Sequence, residues 1–314
     1  MGNSTPTAGH RRARARTVYV GVPGYSPDVS VPDIPLAARV ALAHAYAQAL
    51  AEDHSVDLLH IKGPAATPEL RGQRGGGTDV DVLVRPAHVR VWMAALAADG
   101  WSIDTDFTTS SVFEHAATLR HQEWGLMDVH RRYPGLDRDP EATFARLWSG
   151  AVSRPIAHYP CPVPEEVAER LILLTHAARS AHPELHADVA ASWGAADAAT
   201  QGAVEALAAD LGADVPLRIA TGRAAQVAHL PEAAVWLAFE HPEDRLGEWQ
   251  ARWRSAATAR AKVTVVVRGI AVNRHYLEAE LGRPATGTDL ARAWWHRAGA
   301  LGHEVRRRLT ERRS

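Results

Sequence analysis

The chain has 314 residues with 35 Lys and Arg against 36 Asp and Glu, and this balance excludes a global field that would attract nucleic acid or an anionic membrane. Its single cysteine, Cys161, excludes an internal disulfide and fits a reducing compartment. Since the sequence has no signal-peptide core and no apolar run near the roughly 20 residues that span a bilayer, we expect a cytoplasmic protein that makes no membrane contact.

The first half of the chain is predicted to contain both helices and strands. Residues 1–34 are rich in Gly, Pro, Ser and Arg, and we expect a disordered or loosely packed arm. The periodicity of residues 36–54 predicts a helix, and "VDLLHIKG" (56–63) predicts a buried strand that stops at a glycine. "TDVDVLV" (78–84) predicts a second strand, and a helix that ends at Gly100 follows it.

Further β-type runs follow, and the composition then changes from β-type to helical. The runs are "WSIDTDF", "SVFEHAATLRH" and "GLMDVHRRY". The elements up to this point predict an α+β fold with a mixed sheet over residues 35–160. Ala-rich amphipathic stretches after Pro164 predict a mainly α-helical domain over residues 161–314. Within it, "AKVTVVVRGIAV" (261–272) fits a buried helix or a strand, because periodicity does not separate the two.

Two aspartates interrupt the second predicted strand. Asp79 and Asp81 stand at i and i+2, so both point to the same face, while the intervening valines point to the other. Two carboxylates at this spacing, roughly 7 Å along a strand, are able to hold a hard divalent cation, which prefers oxygen ligands. A third carboxylate from a neighbouring strand would complete a two-metal site.

The run "LMDVHRRY" offers that third carboxylate. Asp128 lies between Met127 and Val129 in a β-like segment, and His130 shares its face. The alternative is an exposed edge strand with scattered charges.

A Lys-Gly pair ends the first predicted strand. Lys62 is one of two lysines in a chain that otherwise uses arginine, and Gly63 would let the backbone come close to a phosphate. The alternative is a glycine that ends the strand beside a solvent-facing lysine.

The order of these segments resembles a known family. "IKG", a stretch containing Arg and Gly, "TDVDVLV", a helix and "MDVHRRY" are similar to the pattern "LKG…R…DIDLLV…VDLHW" of the uncharacterised bacterial nucleotidyltransferases, a family of the polymerase-beta-type nucleotidyltransferase superfamily. "LILLTHAARSAH", which contains His176, resembles the helix that opens the family's helical domain. The resemblance covers about residues 36–195.

The resemblance implies a catalytic role for the three acids. Asp79 and Asp81 would be the first two metal-binding carboxylates, and Asp128 the third, which helps to activate the attacking group. The implied cofactors are two Mg²⁺ ions, with Mn²⁺ as an alternative ion, and the implied co-substrate is an NTP. Two such ions would lie about 3.5–4 Å apart.

The resemblance also implies a triphosphate-binding segment. Lys62 and Gly63 stand where the superfamily has a Gly-Ser turn against the triphosphate. Arg74 stands near a family arginine, although the three glycines that follow it shift the register.

The implied function is Mg²⁺-dependent transfer of an NMP from an NTP to an acceptor hydroxyl or phosphate, with release of pyrophosphate. The acceptor would be a small molecule, a peptide or a protein, and the neutral charge disfavours nucleic acid. The alternatives are a nucleotide-binding or interaction module with weak or no catalysis, and a purely structural α/β protein. The 17 histidines form no HExxH motif and no Cys/His cluster, so no zinc site is predicted.

Overall fold

A computed structural model gives the fold for residues 34–71, 77–107, 113–240, 245–256, 258–270 and, further on, 277, 281, 283–296 and 299. The strands are β1 (Leu58–His60), β2 (Asp79–Val84), β3 (Ser102–Thr105), β4 (Ala116–His121), β5 (Gly125–His130), β6 (Val152–Ile156) and β7 (Tyr159–Val163). The helices are α1 (Leu36–Asp53), α2 (Pro68–Arg71), α3 (Val89–Ala98), α4 (Pro140–Ser149), α5 (Glu166–Ala177), α6 (Ala187–Val189), α7 (Ala198–Leu211), α8 (Asp214–Ala220), α9 (Ala233–Leu237), α10 (Arg245–Ser255) and α11 (Ala259–Ile270).

Five of the strands form a mixed sheet of order β1-β2-β5-β4-β3. β2 pairs in parallel with β5, whereas β1 with β2, β5 with β4 and β4 with β3 are antiparallel. The parallel pair requires a long crossover, and α3, β3 and β4 supply it. The predicted α+β fold with a mixed sheet is confirmed.

One face of the sheet is covered by α1 and α3. Val80, Val82 and Val84 of β2 are fully buried and belong to a core with alanines of α1 and with Trp92 of α3. The alternation in β2 therefore places its valines in the core and its aspartates on the opposite face.

The opposite face of the sheet continues into the helical part of the chain. Leu59 and Leu83 share a second core with Tyr133, Phe144 and the buried face of α5. The Tyr133 hydroxyl donates to the Ile172 carbonyl of α5 at 3.2 Å. This packing brings α5 close to the face of the sheet that carries the aspartates.

Some elements differ from the sequence-based expectations or lie beyond them. β6 and β7 form a separate antiparallel hairpin, which was not predicted because Pro155, Pro160 and Pro162 lower the strand signal. Ala157 and His158, both with positive φ, form its turn. The described part of the ambiguous run, residues 261–270, is helical and belongs to α11.

Two other expectations about the organisation of the chain remain predictions. The predicted arm, residues 1–34, lies outside the described residues except for Ile34, and the predicted boundary near residue 160 stays a prediction. Among the described helices, none has both the length and the apolar character needed to cross a membrane.

Candidate active site

Three carboxylates converge on one face of the sheet. Asp79 and Asp81 come from β2, and the parallel register places Asp81 directly beside Asp128 of β5. Ligand atoms of Asp81, Asp128 and His130 all lie within 4.8 Å of one another. Asp79 stands outside that closest group, two residues before Asp81 on the same strand. The site thus has the acids expected from the sequence, together with an imidazole from β5.

Asp128 is held by the next strand. β4 places Thr118 opposite Asp128, and the Thr118 hydroxyl donates to Asp128 Oδ1 at 2.7 Å. This bond fixes the orientation of the carboxylate and leaves its other oxygen for a ligand.

Asp81 is a buried, fully ionised acid. His130 Nε2 lies 2.8 Å and Lys62 Nζ 2.5 Å from the same oxygen, Asp81 Oδ1. Burial alone would raise the pKa of Asp81, but Lys62 and His130 outweigh it and hold the pKa well below its usual value. Asp81 is therefore ionised at physiological pH, and the ammonium group of Lys62 already balances its charge.

Asp79 has the opposite electrostatic character. Burial, followed by repulsion from Asp81 and Asp128, raises the pKa of Asp79 to about 6. In the absence of a further cation, Asp79 therefore protonates more readily than Asp81. A divalent ion would remove this repulsion, so the donor set fits a metal centre.

Lys62 and Gly63 form a strained turn beside Asp81. Lys62 has φ 58° and ψ −172°, a combination that side chains disfavour, and Gly63 follows with φ 46°. A Cβ on Gly77 would lie 3.7 Å from the Gly63 Cα, so the chain returns to this turn just before β2. Arg74 lies outside the described residues.

A cavity of about 540 Å³ connects these groups to α5. The sheet side carries the carboxylates, Lys62 and Thr118, and the opposite side carries His176, Arg179 and Asp188. Arg179 Nη1 lies 3.5 Å from His115 Nε2. The side chains on the sheet side of the cavity are therefore mainly acidic. Those on the opposite side are two basic residues, His176 and Arg179, and one acid, Asp188.

Sequence reasoning missed several of these contacts. The bond from His130 to Asp81 had a signal, since His130 shares the face of Asp128, but no role was assigned to it. Arg179 stands three residues after His176 in a run predicted to be helical, and that spacing indicates proximity, although α5 itself ends at Ala177. The Lys62–Asp81 ion pair had no sequence signal, because it depends on the antiparallel pairing of β1 with β2.

The profile of a protein family described as "Uncharacterised nucleotidyltransferase" matches residues 39–229. The chain belongs to this family. The match covers the sheet, α5 and the helices to beyond α8, and it confirms the family that the sequence motifs predicted. The roles of individual residues stay predictions.

The solved structures that are similar to this nucleotidyltransferase-family chain include two whose names state a function. One is the lincosamide antibiotic adenylyltransferase LnuA bound to lincomycin, with 16% identity, a TM-score of 0.32, and coverage of 53% of this chain and 94% of that one. The other is the antibiotic-resistance factor ANT(2'')-Ia, with 13% identity, a TM-score of 0.34, and coverage of 62% and 96%. No curated protein sequence matches the chain.

Proposed function

We propose that the protein transfers an NMP from an NTP to an acceptor hydroxyl or phosphate in a reaction that depends on Mg²⁺, with Mn²⁺ as an alternative ion. The acceptor oxygen forms a bond to the α-phosphorus, the bond from that phosphorus to the bridging oxygen breaks, and pyrophosphate leaves. The observation that carries the proposal is the parallel register of Asp81 with Asp128, with Asp79 on the same face, in a chain of the nucleotidyltransferase family.

The three aspartates would hold the metal. Asp79, Asp81 and Asp128 supply oxygen donors, which suit Mg²⁺ and Mn²⁺. When bound, two such ions neutralise charge on the triphosphate and lower the pKa of the acceptor hydroxyl. Asp128, whose carboxylate accepts a hydrogen bond from Thr118, would accept the proton of the acceptor.

The turn at Lys62 and Gly63 would bind the triphosphate. Lys62 pairs with Asp81 in the present structure, where its ammonium stands as the counter-ion of the carboxylate. Once another cation neutralises Asp81, the Lys62 ammonium remains in the cavity as a charge for phosphate oxygens. Arg179, which follows the end of α5, lines the same cavity and adds a second cation. Arg74 is proposed for the same role.

The size of the cavity supports a nucleotide as the first substrate. Its volume of about 540 Å³ lies within the range of small-molecule sites. The cavity does not specify the base of the NTP, and a small molecule, a peptide or a protein side chain remains the proposed acceptor.

The test is transfer of label from each α-labelled NTP, with Mg²⁺, into the small-molecule and protein fractions of a host lysate. Asp81→Asn and Asp128→Asn should each reduce transfer at least about 100-fold, because each removes a metal-binding charge. Release of pyrophosphate should fall in parallel.

Asp104→Asn is the matched control. Asp104 belongs to another Asp-x-Asp pair of the chain, at the edge strand β3, and its carboxylate accepts from Arg120 at 2.9 Å. We expect transfer within about twofold of wild type, as for other surface changes away from the site. Retained transfer in Asp81→Asn and Asp128→Asn would refute the site, and NTP binding without any transfer in wild type would favour a non-catalytic module.

A further inference from the structure

A second group of potential metal ligands lies across the cavity from the aspartates. His176 stands near the end of α5, and His186 and Asp188 stand at the start of α6. Ligand atoms of the three residues all lie within 4.8 Å of one another. The proposed nucleotidyl transfer gives no role to two histidines and a buried aspartate in this arrangement.

Two of the three distances within the group match those of a tetrahedral metal site. His186 Nδ1 lies 3.3 Å and His176 Nδ1 lies 3.6 Å from the same oxygen, Asp188 Oδ2. With metal–ligand bonds of about 2.0–2.2 Å, the donor atoms of a tetrahedral site stand about 3.3–3.6 Å apart. Both measured separations therefore equal the edge of such a tetrahedron.

The hydrogen bonding of the group leaves room for an ion. His176 Nδ1 is buried and has no hydrogen-bond partner among the described residues. His186 Nδ1 accepts one long bond, 3.2 Å, from the Asp188 amide, which ligation at that nitrogen would replace.

We propose that His176, His186 and Asp188 form a second metal site that takes an imidazole-preferring divalent ion of the Zn²⁺ class. Two imidazoles and one carboxylate suit such ions, whereas the aspartates across the cavity suit Mg²⁺. Three protein ligands leave a fourth position for water or a substrate oxygen, as in catalytic zinc sites. His176 and Asp188 line the same cavity as the aspartates, so an ion held by them would be accessible from that cavity. The proposal does not depend on nucleotidyl transfer.

The first test measures the metal content of the full chain without an affinity tag. After incubation with Zn²⁺ and desalting, wild type should retain about one ion per chain by mass spectrometry. Co²⁺ in place of Zn²⁺ should give the intense visible absorption of a tetrahedral site. Because both readings use wild type in the absence of nucleotide, they are independent of folding defects in variants and of the proposed activity.

Variants assign the ion to its ligands. His186→Ala and Asp188→Asn should each weaken Zn²⁺ binding at least about tenfold. Asp81→Asn with Asp128→Asn in one chain should leave Zn²⁺ retention unchanged. The matched control is His182→Ala, since His182 is exposed on the same connection and lies outside the group.

Several results would overturn the proposal. These are a wild type that retains no Zn²⁺, unchanged retention in both His186→Ala and Asp188→Asn, equal loss in His182→Ala, and loss in the Asp81→Asn, Asp128→Asn double variant. The last result would place the ion at the aspartates instead.

Discussion

At the scale of single residues, the two aspartates of β2 have opposite ionisation behaviour although they are two positions apart. Asp81 is compensated by Lys62 and His130, whereas Asp79 faces two other carboxylates. Such a split is common in sites where like charges share a cavity. It makes Asp79 the residue at which the electrostatic cost of bringing the three carboxylates together is measurable.

We expect Asp79→Asn to stabilise the metal-free protein at pH 7.5. Burial and like charge raise the pKa of Asp79 from 3.8 to about 6, so the folded state binds this proton more tightly than the unfolded state does. Stability is therefore lost as the pH rises from about 4 to about 6, and the variant escapes this loss. Allowing for solvent screening of a partly exposed group, the gain should be about 1 kcal/mol.

The measurement is urea unfolding of both proteins in EDTA at pH 7.5 and pH 4. The difference should shrink toward zero at pH 4, where the wild-type carboxyl is largely protonated. Added Mg²⁺ serves as the control at pH 7.5, because ion binding to wild type should remove the advantage of the variant. A variant that is less stable than wild type at pH 7.5 in EDTA would contradict this account.

At the scale of elements, the face of β2 opposite the aspartates depends on α3. Trp92 of α3 is fully buried in the core that contains Val80, Val82 and Val84. The valines pack β2 against the helices, and this packing determines the face of the sheet on which the aspartates lie.

Trp92→Ala should therefore destabilise the fold by about 3–5 kcal/mol, because it leaves a large cavity under the sheet. Thermal unfolding followed by circular dichroism measures the loss. Trp295→Ala is the matched control, since the Trp295 side chain is 69% exposed, and it should change stability by less than about 0.5 kcal/mol. Equal effects of the two changes would show that α3 does not support the sheet.

The elements near the site were predictable from the sequence, but several contacts between them were not. Alternating valine and aspartate predicted β2 with its two faces, and Gly100, which has φ 96°, marked the end of α3. The pairing of Asp81 with Lys62 and the approach of α5 depend on sheet order and helix packing, which periodicity does not encode. The prolines of β6 and β7 lowered the strand signal, so the hairpin was not predicted.

The proposed metal site with the two histidines was not predictable from the sequence either. His176 was noted within the family-like helix, whereas His186 and Asp188 had no motif, because their spacing from His176 matches no zinc pattern. Only the short connection between α5 and α6 brings the three together.

At the scale of the whole molecule, one buried acid joins three parts of the chain. Glu169 of α5 accepts a bond from the Thr67 amide at 2.5 Å and lies 3.3 Å from Arg154 of β6. Arg154 also donates to the Ala65 carbonyl, just after Gly63. Burial raises the pKa of Glu169, while Arg154 and Thr67 oppose that shift. The turn that carries Lys62 is thus tied to α5 and to the hairpin.

Glu169→Ala should cost about 3 kcal/mol of unfolding free energy, because it leaves Arg154 and the Thr67 amide without their partner. Guanidinium unfolding measures this loss. Glu166→Ala is the control on the same helix: the Glu166 side chain is 59% exposed, and its partner Arg170 keeps its bonds to the Ala191 and Ser192 carbonyls. Removal of the Glu166 side chain should therefore cost less than about 0.5 kcal/mol. Similar costs for both variants would refute a linking role for Glu169.

The parallel pairing of β2 with β5 also bears on the order of folding. The two strands are distant in the chain, and α3 and the β3–β4 hairpin between them make mostly local contacts that close first. Loop-closure entropy delays the distant pair until those contacts have formed. Asp128 would then join Asp79 and Asp81 only after those local contacts have formed, so that acquisition of Mg²⁺ affinity during refolding would report the pairing of β2 with β5.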